Sequence, residues 1–227
     1  MGRPLSEAVF LVDDLPPGDI AVLDGDEGRH AARVRRLRVG DAIDISDGRG
    51  GRAHCTVRAV RTDVVELDIG ARTYDPAPMP RLVVVQALAK GDRGERAVEL
   101  MTELGVDEIV PWSASRSMVT WRGERGTKSL QRWRATARAA TKQSRRSWLP
   151  EVSALSDTAS VVERVRAATA AIVLHEGASG LLSAAALPAD GDVLLVVGPE
   201  GGISDEEAAA FETAGAPSCR LGAQVLR

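Results

Sequence analysis

The chain has 227 residues, 44% hydrophobic and 27% charged, which excludes a wholly disordered chain and is long enough to bury a core. No apolar run approaches the roughly 20 residues of a membrane span, and the polar start Met1-Gly2-Arg3-Pro4-Leu5-Ser6-Glu7 is not a signal peptide. Two cysteines, Cys55 and Cys219, make neither a disulfide framework nor a metal cluster and point to a reducing cytoplasm; four Trp, two Phe and one Tyr are too few for a base-stacking platform of many exposed rings.

Residues 1–75 read as β-rich. Val9-Phe10-Leu11-Val12 is a short strand, and residues 27–38 read as one short helix ending before Val39-Gly40-Asp41. Ile43-Asp44-Ile45-Ser46 alternates, Asp47-Gly48-Arg49-Gly50-Gly51 is a turn signal, and Ala53-His54-Cys55-Thr56-Val57 continues the hairpin. Residues 64–69 give another alternating strand, so short strands and tight turns predict a small barrel. Asp75-Pro76-Ala77-Pro78-Met79-Pro80 reads as a linker, with domains at 1–75 and 81–227 on either side of the proline-rich 76–80.

Strand–helix alternation follows. Residues 82–88 form a continuous apolar strand of the buried parallel kind. A helix over 94–104 puts Ala97, Leu100, Met101 and Leu104 on one face and stops at Gly105; Glu108-Ile109-Val110 is the next strand. A long helix over 127–145 has Leu130, Trp133, Ala137 and Ala140 as its apolar stripe. Residues 161–170 are helical, 171–174 and 193–197 are strands, and Arg220-Leu221 ends another. Ser204 followed by Glu207 is a capping box that opens a helix to about Ala214. The expected class is α/β with a mostly parallel sheet.

The net charge of −3 hides a segregation: residues 1–75 carry −3, residues 76–150 carry +7 and residues 151–227 carry −7. Between 112 and 150, ten basic residues face Glu124 alone. A second cluster is Arg29, Arg33, Arg35, Arg36 and Arg38. Both favour Arg, which suits bidentate phosphate contacts on a polyanion surface; a solvated Arg-rich helix face is the alternative.

Open parallel sheets bind ligands at the carboxyl ends of their strands. Three such ends carry distinctive residues here: Leu174-His175-Glu176-Gly177, Gly198-Pro199-Glu200-Gly201-Gly202-Ile203 and Leu221-Gly222-Ala223-Gln224-Val225-Leu226-Arg227. Either a ligand site or plain tight turns fit such glycines. No Gly-Lys-Ser/Thr phosphate loop, G-x-G-x-x-G fingerprint or G-x-S-x-G elbow occurs, and no histidines have metal-ligand spacing. His175 fits strand-end packing and a pocket role equally well.

In this order the three loops resemble the SPOUT methyltransferases, whose deep trefoil knot binds S-adenosylmethionine, and specifically the RsmE family of 16S rRNA (uracil-N3)-methyltransferases. The segments that carry the resemblance span nearly the whole chain. They are His30-Ala31-Ala32-Arg33-Val34-Arg35-Arg36 with Val39-Gly40-Asp41, Gln86-Ala87-Leu88-Ala89-Lys90-Gly91-Asp92, residues 99–106, Arg132-Trp133 through Gln143-Ser144-Arg145-Arg146 with Pro150, Gly198-Pro199-Glu200-Gly201-Gly202, and Leu221-Gly222 with Val225-Leu226-Arg227. The resemblance implies a PUA-like β-barrel followed by a trefoil-knotted parallel-sheet methyltransferase domain. It also implies a threonine-rich turn and a final helix beyond Val225-Leu226-Arg227, which complete the knot and line a homodimer interface; this sequence ends at Arg227.

The implied reaction moves a methyl group from S-adenosylmethionine to N3 of a uracil in 16S rRNA of the small ribosomal subunit. Cofactor contacts are expected at Leu174, His175, Glu176, Gly198, Pro199, Gly201, Gly202, Ile203, Leu221, Gly222, Val225 and Leu226. Glu200 is expected to orient the cofactor or help proton transfer, and Arg145 and Arg227 to contact the target base or its phosphate. RNA contacts are expected from Arg29, Arg33, Arg35 and Arg36 of the barrel, with Arg132, Arg138, Lys142 and Arg146. No metal is implied. The rival readings are a non-catalytic RNA-binding or ribosome-assembly factor and a SPOUT enzyme with another RNA target.

Overall fold

The hairpin read around Asp47 forms, and its turn shows why. In a computed structural model of the chain, which describes residues 8–222, Asp47 Oδ1 accepts the N–H groups of Arg49 at 2.7 Å and Gly51 at 3.0 Å. Gly48 and Gly50 take φ of +66° and +93°, a region that glycine enters without a Cβ clash. The turn joins β3 (Ala42–Ser46) to β4 (Gly51–Val60). With β1 (Val9–Leu11), β2 (Ile20–Leu23) and β5 (Val65–Tyr74) they make a five-stranded sheet in the order β1-β3-β4-β5-β2. Only the β1–β3 pairing is parallel. Phe10, Leu23, Ile43, Ile45, Val57, Val65 and Leu67 fill its core.

β2 escapes a reading by alternation because Ile20-Ala21-Val22-Leu23 is apolar throughout; half of it, Ile20 and Val22, is exposed at the sheet edge. The helix expected over 27–38 is instead α1 (Gly25–Arg29) followed by a π-helical turn, His30–Val34, in which the Arg35 N–H bonds to the His30 carbonyl. Gly28 lets this segment lie on backbone, since a Cβ there would stand 2.2 Å from the Asp63 carbonyl oxygen and 2.6 Å from that of Leu23.

This first unit comprises residues up to Ala77 together with Thr141–Leu149, a segment that the sequence reading assigns to the C-terminal domain. Within the unit, the Gly50 N–H bonds to the Ser147 carbonyl and the Trp148 indole N–H to the Asp75 carbonyl.

The second unit holds β6 (Arg81–Ala87), α2 (Arg93–Glu103), β7 (Glu108–Trp112), most of α3 (Gly123–Ser144), β8 (Glu151–Val152), α4 (Thr158–Ala167), β9 (Ala170–Leu174), β10 (Asp192–Val197), α5 (Asp205–Thr213) and β11 (Ser218–Cys219). Its six-stranded sheet runs β11-β9-β10-β6-β7-β8 and every pairing is parallel. The apolar runs read from the sequence are its central strands. β11 covers Ser218–Cys219 and stops short of Arg220-Leu221, the expected strand end; Arg220 makes an isolated bridge to Leu181. The core holds Val83, Val85, Trp112, Val161, Val173, Val196 and Phe211.

The apolar face expected for α2 is corrected. Leu100 and Leu104 are exposed, and the buried residues are Gly94, Val98 and Thr102. Gly94 admits the Trp133 indole, whose Cζ2 would lie 2.8 Å from a Cβ. Thr102 is cheap to bury because its hydroxyl donates to the Val98 carbonyl at 2.7 Å. Of the stripe expected for α3, Trp133, Ala137 and Ala140 are buried and Leu130 is half-buried. No helix among the described residues is long and apolar enough to cross a membrane. The passage that would complete a knot lies beyond Gly222, outside the described residues.

Candidate active site at the strand carboxyl ends

Strand order reverses direction between β6 and β10: β7 and β8 extend to one side, β9 and β11 to the other. Crevices at such a switch point take ligands. On the β10 side of this point, the loops after β9 and β10 and the segment after β11 meet in a cleft of about 160 Å³. It is lined by Leu174, His175, Glu176, Gly198, Pro199, Gly202, Ile203, Leu221 and Gly222, all expected cofactor contacts, and by Val197 and Arg220. Gly201 lies in the same loop without lining the cleft. Val225, Leu226 and Arg227 lie outside the described residues.

The β10 loop is held in one conformation by its neighbours. The Gly202 N–H bonds to the Pro199 carbonyl, and Gly202 has φ +75°. Ile203 packs into the space where a Gly198 Cβ would be, 2.7 Å from its Cγ1. A Cβ on Gly201 would meet the Arg116 carbonyl oxygen at 3.0 Å, and Arg116 Nη1 donates to the Ile203 carbonyl at 3.3 Å. The predicted capping box is present: Ser204 Oγ accepts the Glu207 N–H and Glu207 returns the bond to the Ser204 N–H.

Glu207 does more than cap α5. Its buried carboxylate also accepts the Ser115 N–H at 2.8 Å, the Ser115 hydroxyl at 2.9 Å and the Thr158 hydroxyl at 3.0 Å. Burial raises its pKa, but these donors outweigh burial and hold it below the ordinary value. It thereby fixes the loop that carries Arg116 against the β10 loop.

Glu200, expected to orient cofactor or move a proton, is tied by the Lys90 N–H at 3.0 Å and Arg93 Nη1 at 2.9 Å, both on Oε1. Burial pushes its pKa up, but hydrogen bonds from its own N–H, the Lys90 N–H and Arg93 push it down further, so the net direction is down. It stays ionised at neutral pH and is a poor proton acceptor. His175 Nδ1 accepts the Gly177 N–H at 3.0 Å, which turns the ring back on its own loop.

Arg220 Nε is a buried donor with no hydrogen-bond partner among the described residues. A buried unpaired donor in a cleft fits a polar or anionic ligand group that would complete it. The remaining wall is backbone and glycine at strand ends, which suits a ligand held by main-chain groups. Sequence reasoning missed Lys90, Arg93, Ser115, Arg116, Glu207 and Arg220 as parts of this site. Only the capping-box signal at Glu207 was visible, and it pointed to helix initiation.

The other expected site residues among those described are absent from the cleft lining. Arg145 belongs to the first unit; it takes φ +58° just after α3, and its carbonyl accepts Arg52 Nη2 at 2.6 Å. Arg29 pairs with Asp26, and Arg33 Nη2 reaches Asp63 at 2.9 Å. Arg35 and Arg36 are exposed. Lys142 departs from the expected open phosphate contact: its side chain is 19% exposed, its ammonium sits 2.8 Å from Glu27 and 5.6 Å from the centre of the Phe10 ring. Arg132 is exposed on α3, and Arg138 and Arg146 are engaged in interactions of their own.

An RNA methyltransferase domain family matches residues 75–227, and an RNA methyltransferase PUA domain family matches residues 23–69. Ribosomal RNA small subunit methyltransferase E of Mycobacterium bovis is 45% identical over 224 residues, covering 96% of this chain and 86% of the relative. The Bacillus subtilis protein of the same name is 29% identical over 90% of this chain and 83% of its own length. The crystal structure of ribosomal RNA small subunit methyltransferase E from Neisseria gonorrhoeae bound to S-adenosyl methionine superposes with a TM-score of 0.87 at 25% identity, covering 98% of this chain and 92% of that one.

Proposed function

Because the chain belongs to the RNA methyltransferase family that includes the ribosomal RNA small subunit methyltransferase E proteins, we propose that its cleft places an S-adenosylmethionine methyl group against N3 of a uracil in the small-subunit RNA. It is an S-adenosylmethionine-dependent rRNA methyltransferase with a PUA-like domain and a SPOUT-type parallel-sheet domain. The observation that carries the site assignment is the cleft formed by three strand ends, with the buried Arg220 Nε, unpaired among the described residues, in its wall.

S-adenosylmethionine supplies an already activated methyl group, so this chain's task is placement and charge control. Backbone groups at Leu174, Gly198, Gly202, Ile203 and Leu221 would hold the cofactor; the expected contacts Val225 and Leu226 lie outside the described residues. Arg220 offers its Nε–H to the cofactor's carboxylate. Glu200 holds the β10 loop to Lys90 and Arg93 and leaves the N3 proton to another acceptor. That proton is too weakly acidic to leave freely at neutral pH, so a cation must stabilise the uracil anion as it develops. Arg145 and Arg227 fill that role; an arginine stays protonated and cannot be the base. A trefoil-knotted methyltransferase domain, a homodimer and a cytoplasmic location complete the proposal.

The test supplies labelled S-adenosylmethionine and small subunits lacking the modification, followed by digestion of the RNA and identification of the labelled nucleoside. Label in N3-methyluridine supports the proposal. Label in a ribose-methylated nucleoside keeps the fold and removes the target atom, and no label favours a non-catalytic RNA-binding factor.

A further inference from the structure

A second groove of the second unit shares no lining residue with the cofactor cleft. It measures about 740 Å³, in the range of a nucleotide-sized pocket, and lies along the N-terminal half of α3. Its walls are apolar, with Val119, Trp121 and Ala135, and its rim is cationic, with Arg125, Lys128 and Arg132. The three cations are three and four residues apart on one helix and so share a face. Arg125 and Lys128 have no ion pair among the described residues, and Arg132 stands 3.9 Å from Glu95.

Trp121 is set in place before anything binds. Its ring meets Trp133 edge to face at 5.0 Å with planes at 81°, and the chain behind it is closed by Gly126, whose Cβ would stand 2.9 Å from the Trp121 carbonyl carbon. Val119, Trp121, Ser129 and Arg132 also line an adjoining cleft that reaches Leu88, Ala89 and Gly91, the loop after β6. The next backbone N–H on that loop, at Lys90, is the one bound to Glu200. The groove therefore runs from a cationic helix face toward the loop that holds the methyl-transfer site.

We propose that this groove binds a single-stranded stretch of the RNA substrate flanking the target base, with one base against Trp121 and its phosphates on Arg125, Lys128 and Arg132. The inference rests on the methyltransferase reading for its substrate and on the groove's own chemistry for its location. An apolar wall with one fixed indole and a row of cations, Arg125, Lys128 and the Glu95-paired Arg132, matches the alternation of base and phosphate in a single strand. A second copy of this chain would bring its own cations to the same face.

The test uses the full chain in two assays. In the first, a labelled single-stranded oligouridylate is titrated with the wild type, with Arg125→Gln/Lys128→Gln, with Trp121→Leu and with Trp121→Phe, while S-adenosylmethionine affinity is measured by calorimetry. The double variant is expected to bind the oligonucleotide about tenfold more weakly and to lose about 1.4–1.8 from the magnitude of the salt slope, two phosphate contacts' worth. Its S-adenosylmethionine affinity is expected to be unchanged. Trp121→Leu is expected to weaken oligonucleotide binding several-fold and Trp121→Phe to restore most of it. In the second assay, the KM for small subunits is expected to rise in parallel. Unchanged oligonucleotide affinity in the double variant overturns the inference. So does a shift from dimer to monomer with RNA affinity intact, which would give the face to a second copy. Absence of methylation by the wild type would sink the methyltransferase reading alone, because the oligonucleotide assay does not depend on it.

Discussion

Glu200 of the β10 loop and Arg93, the first residue of α2, form an ion pair at 2.9 Å although they lie 107 residues apart in the chain, and the same carboxylate oxygen also takes the Lys90 N–H. The pair connects the start of α2 to the glycine loop after β10. Its carboxylate is thereby held below the ordinary value of 4.5. A group held there has no proton to give and little affinity for one near neutrality. Glu200→Gln is therefore expected to leave the shape of the kcat/KM profile between pH 6 and 9 unchanged. Loss of an acidic limb in that profile would make Glu200 the proton acceptor after all. Arg93→Met is expected to weaken S-adenosylmethionine binding only about two- to fivefold, since the pair is half exposed and such pairs contribute ~0.2–1 kcal/mol.

The β10 loop gives a sharper prediction. Gly198→Ala would put a methyl group 2.7 Å from Ile203 Cγ1, and Ile203 lines the cleft. The isoleucine must move or the loop must open. S-adenosylmethionine affinity is expected to fall at least tenfold, about 1.4 kcal/mol, with a smaller change in Tm because the β10 strand itself is untouched. Calorimetry on the variant decides it; full affinity would show that the Ile203 position is not part of the cofactor wall.

What was legible in the sequence follows from the range of the forces involved. Val193–Val197 reads as a strand because a strand buried on both faces needs no polar alternation. Ser204 and Glu207 read as a helix start because capping is local. The three strand-end loops could be located, since glycines and strand ends are both local signals. The α2 face could not: Leu100 and Leu104 outscore Gly94 and Thr102 on hydrophobicity, yet Gly94 is where the Trp133 ring fits. Lys142 was read as a phosphate contact because charge is visible, whereas its partner Glu27 is 115 residues away. The bonds from Glu207 to Ser115 and Thr158 are equally invisible in one dimension.

Those bonds make Glu207 a source of acid sensitivity. Its folded pKa is lowered, so the stability it contributes is fully present above the unfolded value of 4.5 and is lost as pH falls through the folded value. Glu207→Gln keeps the shape and removes the charge, and it is expected to cost about 1–3 kcal/mol at pH 7 through weaker bonds from Ser115, Ser204 and Thr158. The gap between wild type and variant should narrow as the pH is lowered below about 4.5, where the carboxylate of the unfolded chain takes up a proton before that of the folded one. Urea unfolding at pH 7 and at pH 3.5 measures both, and an equal gap at the two pH values would assign the cost to packing.

Lys142 separates structural from RNA-binding cations in one experiment. Its ammonium bonds both oxygens of Glu27, at 3.0 and 2.8 Å, and both side chains are less than one-fifth exposed. Lys142→Met leaves the Glu27 carboxylate without this partner, so a loss of about 1–3 kcal/mol in stability is expected. RNA affinity, compared at a temperature where both proteins are folded, should keep its dependence on salt. Arg35→Gln/Arg36→Gln is expected to do the reverse. Both residues are exposed, so stability should change little, while removing two phosphate contacts should reduce the slope of log K against log salt by about 1.4–1.8. If Lys142→Met flattens the salt dependence and the arginine pair does not, the cation that meets RNA is the half of the Lys142–Glu27 pair that this geometry turns inward.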